Sequence, residues 1–202
     1  MSTETMLLVF MFAVSMVGSP GPANMALMAA GAGYGYRQSA PFVLGTLTGF
    51  FLVGIGVAAG LGTLFVHFPS LRLTFLVISA AYILYLAYRI AFQNPTLGKA
   101  ASKPSFLEGC IIHPLNPKAW VMLIAAFSQF INPQLSFIPQ LAAILAIFAV
   151  VGLILNSAWC YSGSLLYKFV KSTRILRVIN QSLAVLMIVV VGMAMLQSDF
   201  IS

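Results

Sequence analysis

Glu108, His113 and Lys118 fall within one short stretch, EGCIIHPLNPK, of an otherwise apolar segment. A lysine at membrane depth needs a cavity or a partner. It can hold a substrate carboxylate or relay a proton, or it can satisfy freed carbonyls and stabilise a helix break. Glu108 is the one acidic residue inside any apolar segment. It can pair with Lys118 or a basic loop residue, bind an ammonium group or carry a proton; as an interfacial residue it would only reach headgroup water. His113 titrates near neutral pH, so it either catches a proton or stays neutral and bonded to backbone. Cys110 and Cys160 have no paired spacing and read as small apolar residues.

Prolines supply the second chemical feature. SPGP (19–22) interrupts the first apolar segment, and HPLNPK (113–118) interrupts the fourth. A proline lacks the N–H that would bond four residues back and displaces that carbonyl. Pro20 and Pro22 are therefore expected to free the carbonyls of Met16 and Gly18, and Pro114 and Pro117 those of Cys110 and His113. Beyond each break a new half-helix starts, with partial positive charge on its first N–H groups. Acceptors facing donors match an α-amino acid zwitterion, its carboxylate on the half-helix N-termini and its ammonium on the freed carbonyls. Pro20, Gly21, Pro22, Asn24, Asn116, Pro117 and Lys118 are the candidate substrate-binding residues. Asn24 and Asn116 either re-satisfy backbone or touch substrate. Asn156, a third amide at depth, belongs to a small and polar stripe that also fits ordinary helix contact.

The elements that hold these residues are membrane spans. The 202 residues are 61% hydrophobic and only 6% charged, with a mean hydropathy of +1.02. Soluble domains carry about 25% charged residues, so this chain is expected to be an all-α integral membrane protein with lipid around it. Each span needs about 20 apolar residues. Spans are placed near 5–29, 42–66, 71–92, 106–130, 139–164 and 178–197, with INPQ (131–134) and Pro139 turning the chain inside the charge-free run 119–167. The first segment is read as a retained span, because Glu4 stands where a cleaved leader would be basic. Gly45/Gly49 and Gly56/Gly60 in span two allow close helix approach within the bundle or across a homodimer.

The net charge of +7 sits in the gaps between spans, which points to orientation and not to nucleic acid. The first, third and fifth loops hold Arg37; Arg89, Lys99 and Lys103; and Lys168, Lys171, Arg174 and Arg177, while the opposite side holds Arg72 alone. Both termini should then face outward. Three spans per half make two inverted repeats, about 1–95 and 104–202, within one transporter domain over 1–202. The segment 93–105 is their linker. The first and fourth helices are broken at corresponding places, which marks a transporter's binding site.

PGP with Asn24, small-residue spacing and then NPKA (116–119) resemble the LysE/RhtB family of amino-acid exporters across essentially the whole chain. Ala23 stands between PGP and the asparagine, and His113–Pro114 occupy the place of an asparagine often found before NPK. The resemblance implies an inner-membrane exporter of an amino acid or derivative, driven by the proton gradient. Alternating access would exchange inward protons for outward substrate, with Glu108 or His113 as the coupling residue. Neither a metal nor another cofactor is expected. The alternatives are a metal-cation exporter of similar build and an intramembrane enzyme. Soft or divalent ions call for several carboxylates, thiolates or imidazoles, and an enzyme for a reactive constellation; one Glu and one His in the spans supply neither.

Overall fold

A computed structural model describes residues 1–92, 104–170 and 172–196, and every element among them is helical. Local sequence sets the ends. Helix α1 (Thr3–Gly18) starts at Ser2, whose hydroxyl accepts the Thr5 N–H at 3.1 Å. It stops at Ser19–Pro20, and α2 (Pro22–Tyr34) opens with proline at its first position, where the missing N–H costs nothing. The two are bent by 61°. Helix α3 (Tyr36–Ala58) is followed by the short α4 (Leu61–His67) and by α5 (Pro69–Ala91). The second broken pair is α6 (Phe106–Ile112) and α7 (Pro117–Phe130), again bent by 61°. Long α8 (Phe137–Phe169) and α9 (Thr173–Leu196) complete the chain.

Helices α3, α5, α8 and α9 are each long and apolar enough to cross a membrane, and counting each bent pair as one span raises the number to six. Expected span two is interrupted: Gly60 adopts φ 86°, a left-handed conformation open to glycine, and separates α3 from α4. Gly60 therefore serves a turn and not a helix seam. Spans five and six reach further than expected, because Lys168, Arg174 and Arg177 continue the helices with exposed side chains instead of ending them. The expected linker and repeat boundary, with Lys99 and Lys103, fall largely on 93–103, outside the described residues, as does Lys171.

Helix α2 packs along α8, and α3 along α6. Both contacts depend on missing side chains. A Cβ on Gly163 would stand 2.0 Å from the Met28 carbonyl oxygen, and one on Gly45 2.1 Å from that of Phe106. The first pair of span-two glycines is thus used inside the bundle. One apolar cluster gathers Leu27, Ile83 and Met187, and another gathers Val9, Phe50, Leu123 and Phe148. Large apolar side chains such as Leu7, Leu73, Ile154 and Val185 point outward, the pattern of helices whose outer face meets lipid. The turn between α7 and α8 is pinned by buried Gln140. Its amide donates to the carbonyls of Asn132, Leu135 and Ser136, and its oxygen accepts from the Asn132 N–H.

Candidate functional site

The two helix breaks meet. Lys118, in the first turn of α7, extends its ammonium to the other break and donates to the Ser19 carbonyl at 2.7 Å, the Ser19 hydroxyl at 2.9 Å and the Pro20 carbonyl at 3.4 Å. Gly21 leaves room for this side chain: a Cβ there would sit 3.1 Å from Lys118 Cδ and Nζ. Pro22 is buried beside it, whereas Pro20 is exposed.

Of the four carbonyls expected to be freed, those of Met16 and His113 accept a donor, and neighbouring carbonyls at the breaks are also engaged. The Ser19 hydroxyl donates to the Met16 carbonyl at 2.9 Å. The Asn24 amide donates to the Val17 carbonyl at 3.0 Å, so Asn24 re-satisfies backbone. At the second break the His113 carbonyl accepts the Asn116 N–H at 3.0 Å, and the Trp120 indole donates to the Pro114 carbonyl at 3.0 Å. Asn116 caps α7 by accepting the Lys118 N–H at 3.2 Å. Pro117 occupies the first position of α7, as Pro22 does in α2.

A cavity of about 30 Å³ lies between the breaks. That is room for a water or two. Of the candidate residues, Asn24, His113, Asn116 and Lys118 line it. Phe50 and Leu47 of α3, Met122 of α7 and Phe148 and Asn156 of α8 close it, and the sequence did not mark the apolar ones. Asn156 also bonds across to α3, donating to the Thr46 hydroxyl at 3.2 Å. His113 is only 9% exposed, its ring stands edge-on to Phe50 with centroids 5.5 Å apart, and its Nδ1 has no hydrogen-bond partner.

Glu108 stands elsewhere. It forms a capping box with Ser105, accepting that residue's N–H at 2.8 Å, and pairs with Arg89 at 2.5 Å. Arg89 also lies 5.8 Å from the centre of the Tyr85 ring. Of the partners open to Glu108 in the sequence, a basic residue at a helix end is the one it takes. Among the described residues no three His, Cys, Asp or Glu side chains come together as a metal site, and both cysteines are free.

Four long apolar helices among the described residues, with two bent pairs that meet at a shared cavity, define a multi-pass membrane protein built around interrupted helices. The model of the LysE type translocator family matches residues 14–198, and the chain belongs to that family. It is similar to cysteine/O-acetylserine efflux proteins: 30% identical over 148 residues to that of Salmonella typhi, covering 73% of this chain and 76% of the relative. With that of Escherichia coli (strain K12) it is 28% identical over 172 residues, covering 84% and 87%. No solved structure matches the chain.

Proposed function

We propose that the chain exports an amino acid or amino-acid derivative across the bacterial inner membrane, in exchange for protons, and that the two helix breaks form the substrate site. Family membership and the efflux proteins among the relatives support the transport class. The observation that carries the site is the Lys118 bridge: one cation spans from the second break to the carbonyls of the first, at the wall of a shared cavity. When substrate enters, its carboxylate draws the Lys118 ammonium away from Ser19 and Pro20 and takes their place. Pro20, Gly21 and Pro22 shape the first break around it; Pro117 and Asn116 shape the second, and Asn24 braces the end of α1.

Each bent pair counts as one span in this reading, giving six spans in two inverted sets of three. The equal bends in the first span of each set support it. A cavity of about 30 Å³ is far too small for an amino acid, which supports a cycle in which the halves rock and open the site to each side in turn. His113 is the preferred proton carrier, because it lines the cavity while Glu108 is held by Arg89 and Ser105.

Transport of labelled amino acids into and out of proteoliposomes under an imposed pH gradient tests the reading. Lys118→Met should abolish transport while leaving membrane insertion intact, with a somewhat lower melting temperature because the Ser19 and Pro20 carbonyls lose their donor. Retained transport would reduce Lys118 to a structural tie, and movement indifferent to the gradient would remove the proton coupling.

A further inference from the structure

A zwitterion in this cavity needs an acceptor for its ammonium, and of the carbonyls the prolines are expected to free, those of Gly18 and Cys110 belong to residues outside the cavity wall. The Met16 carbonyl accepts from Ser19, the Val17 carbonyl from Asn24, the Ser19 and Pro20 carbonyls from Lys118, and the Pro114 carbonyl from Trp120. No carboxylate is among the lining residues. Among the described residues, two buried side-chain polar atoms have no hydrogen-bond partner: Ser79 Oγ on α5, which is not part of the cavity wall, and His113 Nδ1, whose residue is. In a neutral imidazole one ring nitrogen carries the proton and the other accepts. With the ring proton on Nε2, Nδ1 is an unsatisfied buried acceptor, and the pocket gains when a donor arrives there.

We infer that His113 Nδ1 receives the substrate's primary ammonium group, and that substrate and proton compete for that one nitrogen. The inference rests on the amino-acid exporter reading and supplies its exchange step. The carboxylate end lies with Lys118, and the ammonium end lies against the imidazole. A proton arriving from the outer water binds Nδ1 through the same lone pair. The ring becomes a cation that only donates, the ammonium loses its acceptor and is repelled, and the substrate leaves. On the inner side, loss of that proton restores the acceptor for the next substrate. The charged group facing His113 is Lys118 on α7. The cavity walls contributed by α1, α2, α3 and α8, which include Met16, Asn24, Phe50 and Asn156, bring no other titratable side chain. Lysine-like substrates are disfavoured for the same reason: a second cation would meet Lys118 with no carboxylate to balance it.

The test uses the full-length protein in proteoliposomes, with L-cysteine under reducing conditions as the probe and counterflow measured at equal pH on both sides. In the wild type, affinity for L-cysteine should weaken as pH falls. L-cysteine should also compete at a concentration about tenfold or more below that of 3-mercaptopropionate, which lacks the amino group, the worth of one hydrogen bond to a charged group. His113→Asn offers an acceptor oxygen near the place of Nδ1 but cannot be protonated. It should bind L-cysteine several-fold more weakly and lose the pH dependence. His113→Leu should no longer prefer L-cysteine to 3-mercaptopropionate. Equal competition by the two compounds in the wild type would overturn the inference without any variant, and so would an unchanged pH profile in His113→Asn. If the wild type carries none of the common amino acids and not O-acetyl-L-serine, the exporter reading fails first and the inference falls with it; if it carries another amino acid, that compound and its deaminated analogue replace the pair in the same test.

Discussion

Asn24 shows how little slack the first break has. Its amide holds the Val17 carbonyl at 3.0 Å from a buried position at the start of α2. Asn24→Leu removes the donor and strands that carbonyl where water scarcely reaches, at a cost of about 1–3 kcal/mol. The expected outcome is a lower melting temperature in detergent together with reduced transport. Ser19→Ala removes the donor to the Met16 carbonyl but should be milder, because Met16 and Ser19 are only half-buried and water can replace the hydroxyl. Residue type alone singled out Asn24, His113, Asn116 and Lys118, since an amide or a charge in lipid demands a partner. It could not say which partner. Glu108 carries the same signal as Lys118, yet its place in the first turn of α6, three residues after Ser105, makes it a cap. Phe50, Phe148 and Met122 were illegible for the opposite reason: in a chain this apolar, a side chain facing a cavity looks like one facing lipid.

The elements are held together by absent side chains as much as by present ones. Gly163 of α8 lies so close to α2 that a methyl group would press into the Met28 carbonyl and Ala32 backbone. Neither can yield without moving a helix. Gly163→Ala should therefore destabilise the protein by about 1–3 kcal/mol, the usual cost of overpacking, and lower the yield of monodisperse protein. Gly192 of α9 is the internal comparison. Nothing lies within 4 Å of a Cβ built there, so Gly192→Ala should be neutral or gain about 1 kcal/mol from helix propensity. Fluorescence-detected gel filtration after heating separates the two. The proline motifs announced both breaks to within a residue or so, because proline acts locally. The interruption at Gly60 was hidden, since a glycine four residues after Gly56 reads equally as a helix seam or as a turn.

At the scale of the molecule the question is which way the chain faces, because an exporter and an importer share the same helices. Arg37 follows α2, Arg89 lies in the last turn of α5, Lys168 closes α8, and Arg174 and Arg177 lie in the first turns of α9; with six alternate crossings these ends share one side, and Arg72 at the start of α5 stands on the other. Basic residues beside spans are retained on the cytoplasmic side, so Ser2 should face outward and Gln38, next to Arg37, inward. Both positions are exposed. In a background lacking Cys110 and Cys160, Ser2→Cys should react with a membrane-impermeant maleimide in intact cells, and Gln38→Cys only after permeabilisation. This sidedness joins the site to its direction of travel. If His113 gives up substrate when it gains a proton, substrate leaves toward the more acidic side, which for a bacterial inner membrane is outside. Labelling of Gln38→Cys in intact cells would reverse the orientation and leave the charge asymmetry without its physical role.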